Sequence, residues 1–181
     1  MELRIDPELR DLLPAVYGDN LETQILAEGK RDPVVVWTDP AEPDEQTICG
    51  GHRGYEICKK HNLPFQVVAM DFADRGAVIR WMISDQSARR NWSAYDRAKC
   101  IGRGRKLIQH EKEAQGLRGA ASKATKEMAS VVGISVRQAY RHKALDKVID
   151  AMEREVPDVA ERVKRDMNGL SARDLISLGQ L

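Results

Sequence analysis

Apolar positions come in short β-type runs through the first seventy residues and at helical spacing afterwards. Val34-Val35-Val36-Trp37 follows the turn Gly29-Lys30-Arg31-Asp32-Pro33, and such a brief run of β-formers predicts a buried strand. Thr47-Ile48-Cys49 predicts a second strand, broken by Gly50-Gly51, and residues 65–70 a third. Between them residues 53–61 turn helical, with Ile57, Cys58 and His61 on one side and Asn62 and Pro64 as stop signals. Asp74 can cap a helix to about Ile83 on which Val78, Trp81 and Met82 share a face. Ser93 and Asp96 have capping-box spacing before another helix. The stretch before residue 25, interrupted by Pro7 and Pro14, has room for a short helix or two. The order β-β-α-β-α followed by helices predicts an α+β protein, with a mixed domain over residues 1–92 and an all-helical one over residues 93–181.

Within the helical half, residues 123–145 have the spacing of a helix-turn-helix. Ala129 is small where two helices must touch, Gly133 follows four residues later where the turn calls for a left-handed backbone, and Ser135 can cap the second helix. Val136, Ala139 and Tyr140 are then expected to face inward. Arg137, Gln138, Arg141, His142 and Lys143 are left as DNA contacts beside Ser135: arginine pairs with guanine, glutamine with adenine, and lysine with phosphate. A helical hairpin that only packs would carry some of the same pattern. Residues 146–181 predict two further helices, with apolar stripes Val148-Ile149-Met152 and Val156-Val159-Val163.

Charge strengthens the DNA reading. The net charge of the 181-residue chain is only +1, yet residues 1–50 carry 4 basic and 12 acidic side chains, whereas residues 86–126 carry 11 basic and 3 acidic. That cationic block, including Arg97, Lys99, Arg103, Arg105, Lys106, Arg118, Lys123 and Lys126, offers the sequence-independent phosphate attraction that a duplex reader needs. Hydrophobic content of 42% and charged content of 31% fit a globular protein, and 5% aromatic argues against a large aromatic-lined pocket. No window reaches 18 uncharged apolar residues, and the start lacks the apolar run of a signal peptide. No membrane partner is expected, and a cytoplasmic, nucleoid-associated location is. Three widely spaced cysteines do not suggest a disulfide.

Two polar segments carry candidate chemistry. Gly51-His52-Arg53-Gly54 lies where a strand passes into a helix, so unpaired backbone N–H groups meet the positive helix end, an anion site that Arg53 and His52 can reinforce. A glycine turn with a solvated arginine is the plainer alternative. The spacing of Cys49, His52, Cys58 and His61 also suggests zinc, but two of the four would face inward on a helix while Cys49 ends a strand, and no zinc is expected. Further on, Asp85-Gln86 with Arg89-Arg90 puts a carboxylate for a cation beside arginines for an anion. A solvated charge run is the alternative there.

Taken together, the strand after Gly29, the Gly51-His52-Arg53 turn, His61-Asn62-Leu63-Pro64-Phe65 and the Asp85-Gln86…Arg89-Arg90-Asn91-Trp92 junction resemble the ParB/sulfiredoxin-like domain of ParB-type partition proteins, over about residues 25–108. The resemblance implies a small mixed sheet followed by a helix-turn-helix domain. It also implies a nucleotide pocket, in some members for CTP with magnesium, in which Gly51, His52 and Arg53 meet phosphate, Asp85 stands at the metal-linked position, and Gln86 and Arg89 complete the segment. In this chain His52 replaces the family's Glu, and Gly54 replaces the second Arg of the turn. The implied function is sequence-specific binding of double-stranded DNA in partition or transcriptional regulation, modulated by nucleotide, with a homodimer and a partition ATPase as further partners. The alternative is a nucleotide hydrolase or nuclease on the same pocket.

Overall fold

Four consecutive β-formers from Val34 give β1 (Val34–Thr38), the strand that organises the N-terminal unit. In the computed structural model, which describes residues 3–13, 20–88 and 92–166, the chain divides into two units, Met1–Met82 and Ile83–Leu181. In the first, β1 lies between β2 (Gln46–Gly50), antiparallel with Val36 opposite Ile48, and β3 (Val67–Ala69), parallel with Val34 opposite Val67. The sheet is therefore mixed, in the order β2-β1-β3. The outer edge of β2 is covered by Arg4, whose N–H donates to the Gln46 carbonyl at 2.9 Å and whose own carbonyl accepts from Ile48 at 2.9 Å. The third strand is shorter than residues 65–70 suggest, and it is an exposed edge: Val67 and Val68 face solvent.

Alternation along the strands builds the core. Val34, Val36 and Ile48 are buried with Leu3 and Tyr55, and Phe65 packs edge-on to Tyr55 with ring centroids 5.2 Å apart. A second cluster joins Ile25 of α2 (Leu21–Glu28) to Ile57 and Cys58 of α3 (His52–Lys60). The same helices are tied outside by Glu22, which accepts from Lys60 at 2.8 Å and lies 2.6 Å from His61 Nε2; these partners hold Glu22 down at about 2. Ahead of them α1 (Pro7–Leu12) starts at Asp6, whose carboxylate accepts from the N–H groups of Glu8 and Leu9.

Asp74 does cap the next helix, accepting from Ala77 N–H at 2.6 Å, but α4 (Arg75–Ala88) runs five residues past Ile83 and takes Asp85 and Gln86 into its last turn. The polar character of that segment stops the burial, not the helix.

The second unit is helical. Ser93 accepts from Asp96 N–H at 3.0 Å and starts α5 (Ala94–Ala114); α6 (Ala120–Val132), α7 (Val136–Glu155) and α8 (Pro157–Asp166) follow. Two glycines let α5 be approached closely. A Cβ at Gly104 would meet Ile83 Cδ1 at 2.3 Å, and one at Gly102 would lie 2.1 Å from the Asp146 carboxyl carbon. Tyr95, Ala98, Leu145, Ile149 and Val163 make the core between α5, α7 and α8. Residues 146–155 continue α7 and do not begin a new helix. Val156 and Val159 are exposed, so Ala160 and Val163 carry the inward stripe of α8.

Candidate nucleic-acid interface and anion turn

The turn at Gly51 is built by backbone strain that only glycine tolerates. Gly51 sits at φ 80°, ψ 20°, in the left-handed region, and caps α3 without a side-chain hydrogen bond; its carbonyl accepts the first helical bond, from Tyr55 N–H at 2.9 Å. A helix start without a side-chain cap is the kind of place where an anion can be taken by backbone N–H groups. Lys30, a residue that sequence reasoning did not single out, lies against this turn. A Cβ on Gly54 would meet its Cε at 2.6 Å, and one on Gly51 would come within 3.4 Å of its Nζ. The ammonium donates to the Asp32 carbonyl, and partial burial lowers its pKa. A cation thus stands at the turn, and the lysine stem crosses where a side chain at Gly54 would lie. No periodicity links residues 30 and 54, so the sequence holds no signal for the pair.

The other residues of the turn divide. Arg53 is exposed, whereas His52 is turned inward: its Nε2 is buried, and burial lowers its pKa, which keeps the ring neutral at pH 7. The expectation of His52 as a charged phosphate donor is corrected accordingly. Asp85 and Gln86 are half-buried on α4, with Gln86 Nε2 donating to Asp85 Oδ2 at 3.3 Å. Arg89 and Arg90 lie outside the described residues. Among the described residues no three His, Cys, Asp or Glu side chains converge on a point fit for a metal ion. The cysteines of the supposed zinc set are core groups: Cys49 donates to the Val35 carbonyl at 3.5 Å with its thiol pushed up to about 12 by burial, and Cys58 packs on Ile25 and Ile57.

On the helical unit, α6 ends at Gly133, left-handed at φ 69°, ψ 35°, with Ile134 N–H donating to the Ala129 carbonyl at 2.9 Å. Ser135 then caps α7 in a full capping box: its hydroxyl accepts from Gln138 N–H, and Gln138 Oε1 accepts from Ser135 N–H at 2.9 Å. Ala129 and Ala139 are buried where the two helices meet. Arg137 and Arg141 are exposed and, among the described residues, make no ion pair.

Four expectations for this helix change. Tyr140 and Val136 face outward, 43% and 41% exposed; only Ala139 of the supposed inward trio is buried. His142, turned about 100° from Arg141 towards the core, is half-buried with Nδ1 unpartnered among the described residues, and its pKa is lowered by burial and by Arg97. The Gln138 amide oxygen is engaged by the cap. Lys143 is half-buried, its Nζ 5.8 Å from the Tyr140 ring centroid. The reason is rotational phase: Ala139, His142, Leu145, Asp146 and Ile149 set the buried stripe, at about 100° per residue. Val136, Arg137, Tyr140 and Arg141 lie across the helix from it.

The cationic block divides as well. Lys99 is buried and reaches Asp150 at 2.5 Å and Glu153 at 2.8 Å; Lys106 reaches Asp150 at 2.7 Å and Asp146 at 3.2 Å; Lys112 reaches Glu127 at 2.7 Å. Arg105 is buried with Gln109. The three lysines hold α5 to its neighbours and already carry carboxylate partners, whereas the Arg105 bond stays within α5. Arg118, Lys123 and Lys126 remain exposed, and Ser122 Oγ lies 3.3 Å from Tyr140 Oη, which sets this face of α6 beside the outward face of α7.

The chain matches no family model and no curated protein. Among solved structures it is similar to the Pnob8-like ParB-N domain, with a TM-score of 0.61 and 12% identity, over 96% of this chain and 74% of that one. Weaker likenesses are to the C-terminally truncated chromosome-partitioning protein ParB from Caulobacter crescentus. Its complex with the centromeric parS site gives a TM-score of 0.46 and 15% identity, over 98% of this chain and 95% of that one. Its complex with CTP-gamma-S gives 0.41 and 18%, over 98% and 92%. Among the described residues no helix is long and apolar enough to cross a membrane. A small mixed sheet with α3 and α4, followed by the helices α5 to α8, gives this chain the fold of the ParB N-terminal domain.

Proposed function

We propose that this protein binds double-stranded DNA in a sequence-specific manner, in the partition or transcriptional control of a plasmid, phage or chromosomal element. The observation that carries the reading is the start of α7: a serine-capped helix, set on α6 by a left-handed glycine, that presents two exposed arginines without acidic partners among the described residues. In a helix-turn-helix these first turns enter the major groove, where a guanidinium pairs with guanine. Lys123, Lys126 and Arg118 supply the phosphate contacts. A second copy of the chain and a partition ATPase are the further partners that the family resemblance implies.

The test is binding of the full chain to random and genomic duplexes at two salt concentrations. Affinity is expected to fall steeply between them, in proportion to the phosphates neutralised. Salt-insensitive binding, or none, refutes the reading.

A nucleotide or phosphate ligand at the turn of Gly51, Arg53 and Lys30 is the second element of the proposal. It is favoured by the lysine that sits, partly desolvated, over a helix start that no side chain caps. An anion there would relieve both conditions. Titration calorimetry with CTP and with other nucleoside triphosphates is expected to give a signal that Lys30→Ala weakens at least tenfold.

A further inference from the structure

The outward face of α7 is half apolar and half cationic. Val136 and Tyr140, four residues apart, form one ridge; Arg137 and Arg141, also four apart, form the next. The Tyr140 ring is held in place from two sides, its hydroxyl 3.3 Å from Ser122 Oγ and Lys143 Nζ 5.8 Å from its centroid. The Gln138 amide oxygen, the obvious reader of adenine at this position, is engaged by the Ser135 N–H. The surface left to meet base edges is therefore a pair of apolar groups beside a pair of guanidinium groups.

We infer that Val136 and Tyr140 determine specificity by packing on the 5-methyl groups of thymines next to the guanines met by Arg137 and Arg141. This rests on the proposed DNA binding and goes beyond it to the chemistry read. Thymine is the base whose major-groove edge carries a methyl group, whereas cytosine presents an amino group. An amino group pressed against valine and a tyrosine ring would lose water without gaining an acceptor. The charged surroundings decide between this and an apolar protein partner. Arg137, Arg141, Lys123 and Lys126 surround the ridge, among the described residues without acidic partners, and the centre of a protein interface is depleted in such charge.

The experiment selects a duplex from a random library with the full-length chain, then replaces each thymine of the selected site in turn by deoxyuridine, which removes only the methyl. A threefold to fivefold loss of affinity is expected at one or two positions, the effect of one buried methyl. It should vanish in Val136→Ser or Tyr140→Ser and persist in Tyr140→Phe. Uracil tolerated at every position, with steep salt dependence intact, overturns the inference and leaves DNA binding standing. A methyl effect unchanged in both serine variants also overturns it. Absence of salt-dependent binding to any duplex removes the proposed function and this inference together.

Discussion

Gly102 shows how one missing Cβ fixes a contact. The Asp146 carboxylate occupies the space where that atom would stand, 2.1–2.4 Å away, and is itself buried to 1% exposure. Burial and the nearby Asp150 raise its pKa, against the pull of Lys106 at 3.2 Å. Gly102→Ala is expected to lower the unfolding free energy by about 1–3 kcal/mol through overpacking, as read by urea denaturation. Gly133→Ala has no steric neighbour within 4 Å, so its expected cost of about 1–2 kcal/mol comes from the left-handed backbone alone. The two glycines look alike in sequence, and only the neighbour of Gly102 reveals a packing role. The same holds for Lys30: the positive end of α3 was legible from Gly50-Gly51, but the lysine that reaches it comes from a loop twenty residues earlier.

At the scale of the element, α7 does two tasks along one length. Its first turns carry the proposed reading face, and its later turns carry Asp146, Asp150 and Glu153 against the lysines of α5. Ser135→Ala is expected to cost about 1 kcal/mol of stability, since the hydroxyl that accepts from Gln138 N–H is lost while the backbone N–H that meets Gln138 Oε1 remains, and thermal unfolding at matched pH would show it. Arg141→Ala should weaken binding to the selected duplex by about 1–3 kcal/mol and relax the preference at one guanine, whereas Lys126→Ala should weaken all duplexes alike and reduce the salt slope by about 1. Competition binding against single-base variants distinguishes the two. Helix starts were legible because caps are local: Ser93, Asp74 and Ser135 act within three residues of themselves. The inward phase of α7 was not, because Val136 and Tyr140 are as apolar as the buried residues and no local rule separates them.

For the molecule as a whole, two half-buried histidines make a prediction for acid. His52 and His142, one in each unit, both have lowered pKa values, chiefly from burial. Below the ordinary value of 6.5 the unfolded chain therefore binds more protons than the native one, so stability is complete above that value and is lost as pH falls from it towards the native pKa values. The unfolding midpoint is expected to drop between pH 7.5 and 5.5, and His142→Gln to flatten part of that drop. Charge at this scale also needed coordinates. The 11 basic side chains of residues 86–126 suggested one cationic face, yet Lys99, Arg105 and Lys106 turn inward or pair across α5 and α7. What the sequence determined by itself was the order of strands and helices up to the start of α7, the glycine and serine signals at their ends, and the α+β class, because these follow from interactions within a few residues. Which cations are free, which apolar side chains face water, and which lysine meets the glycine turn were decided by tertiary structure, because each depends on partners that only the folded chain brings within bonding distance.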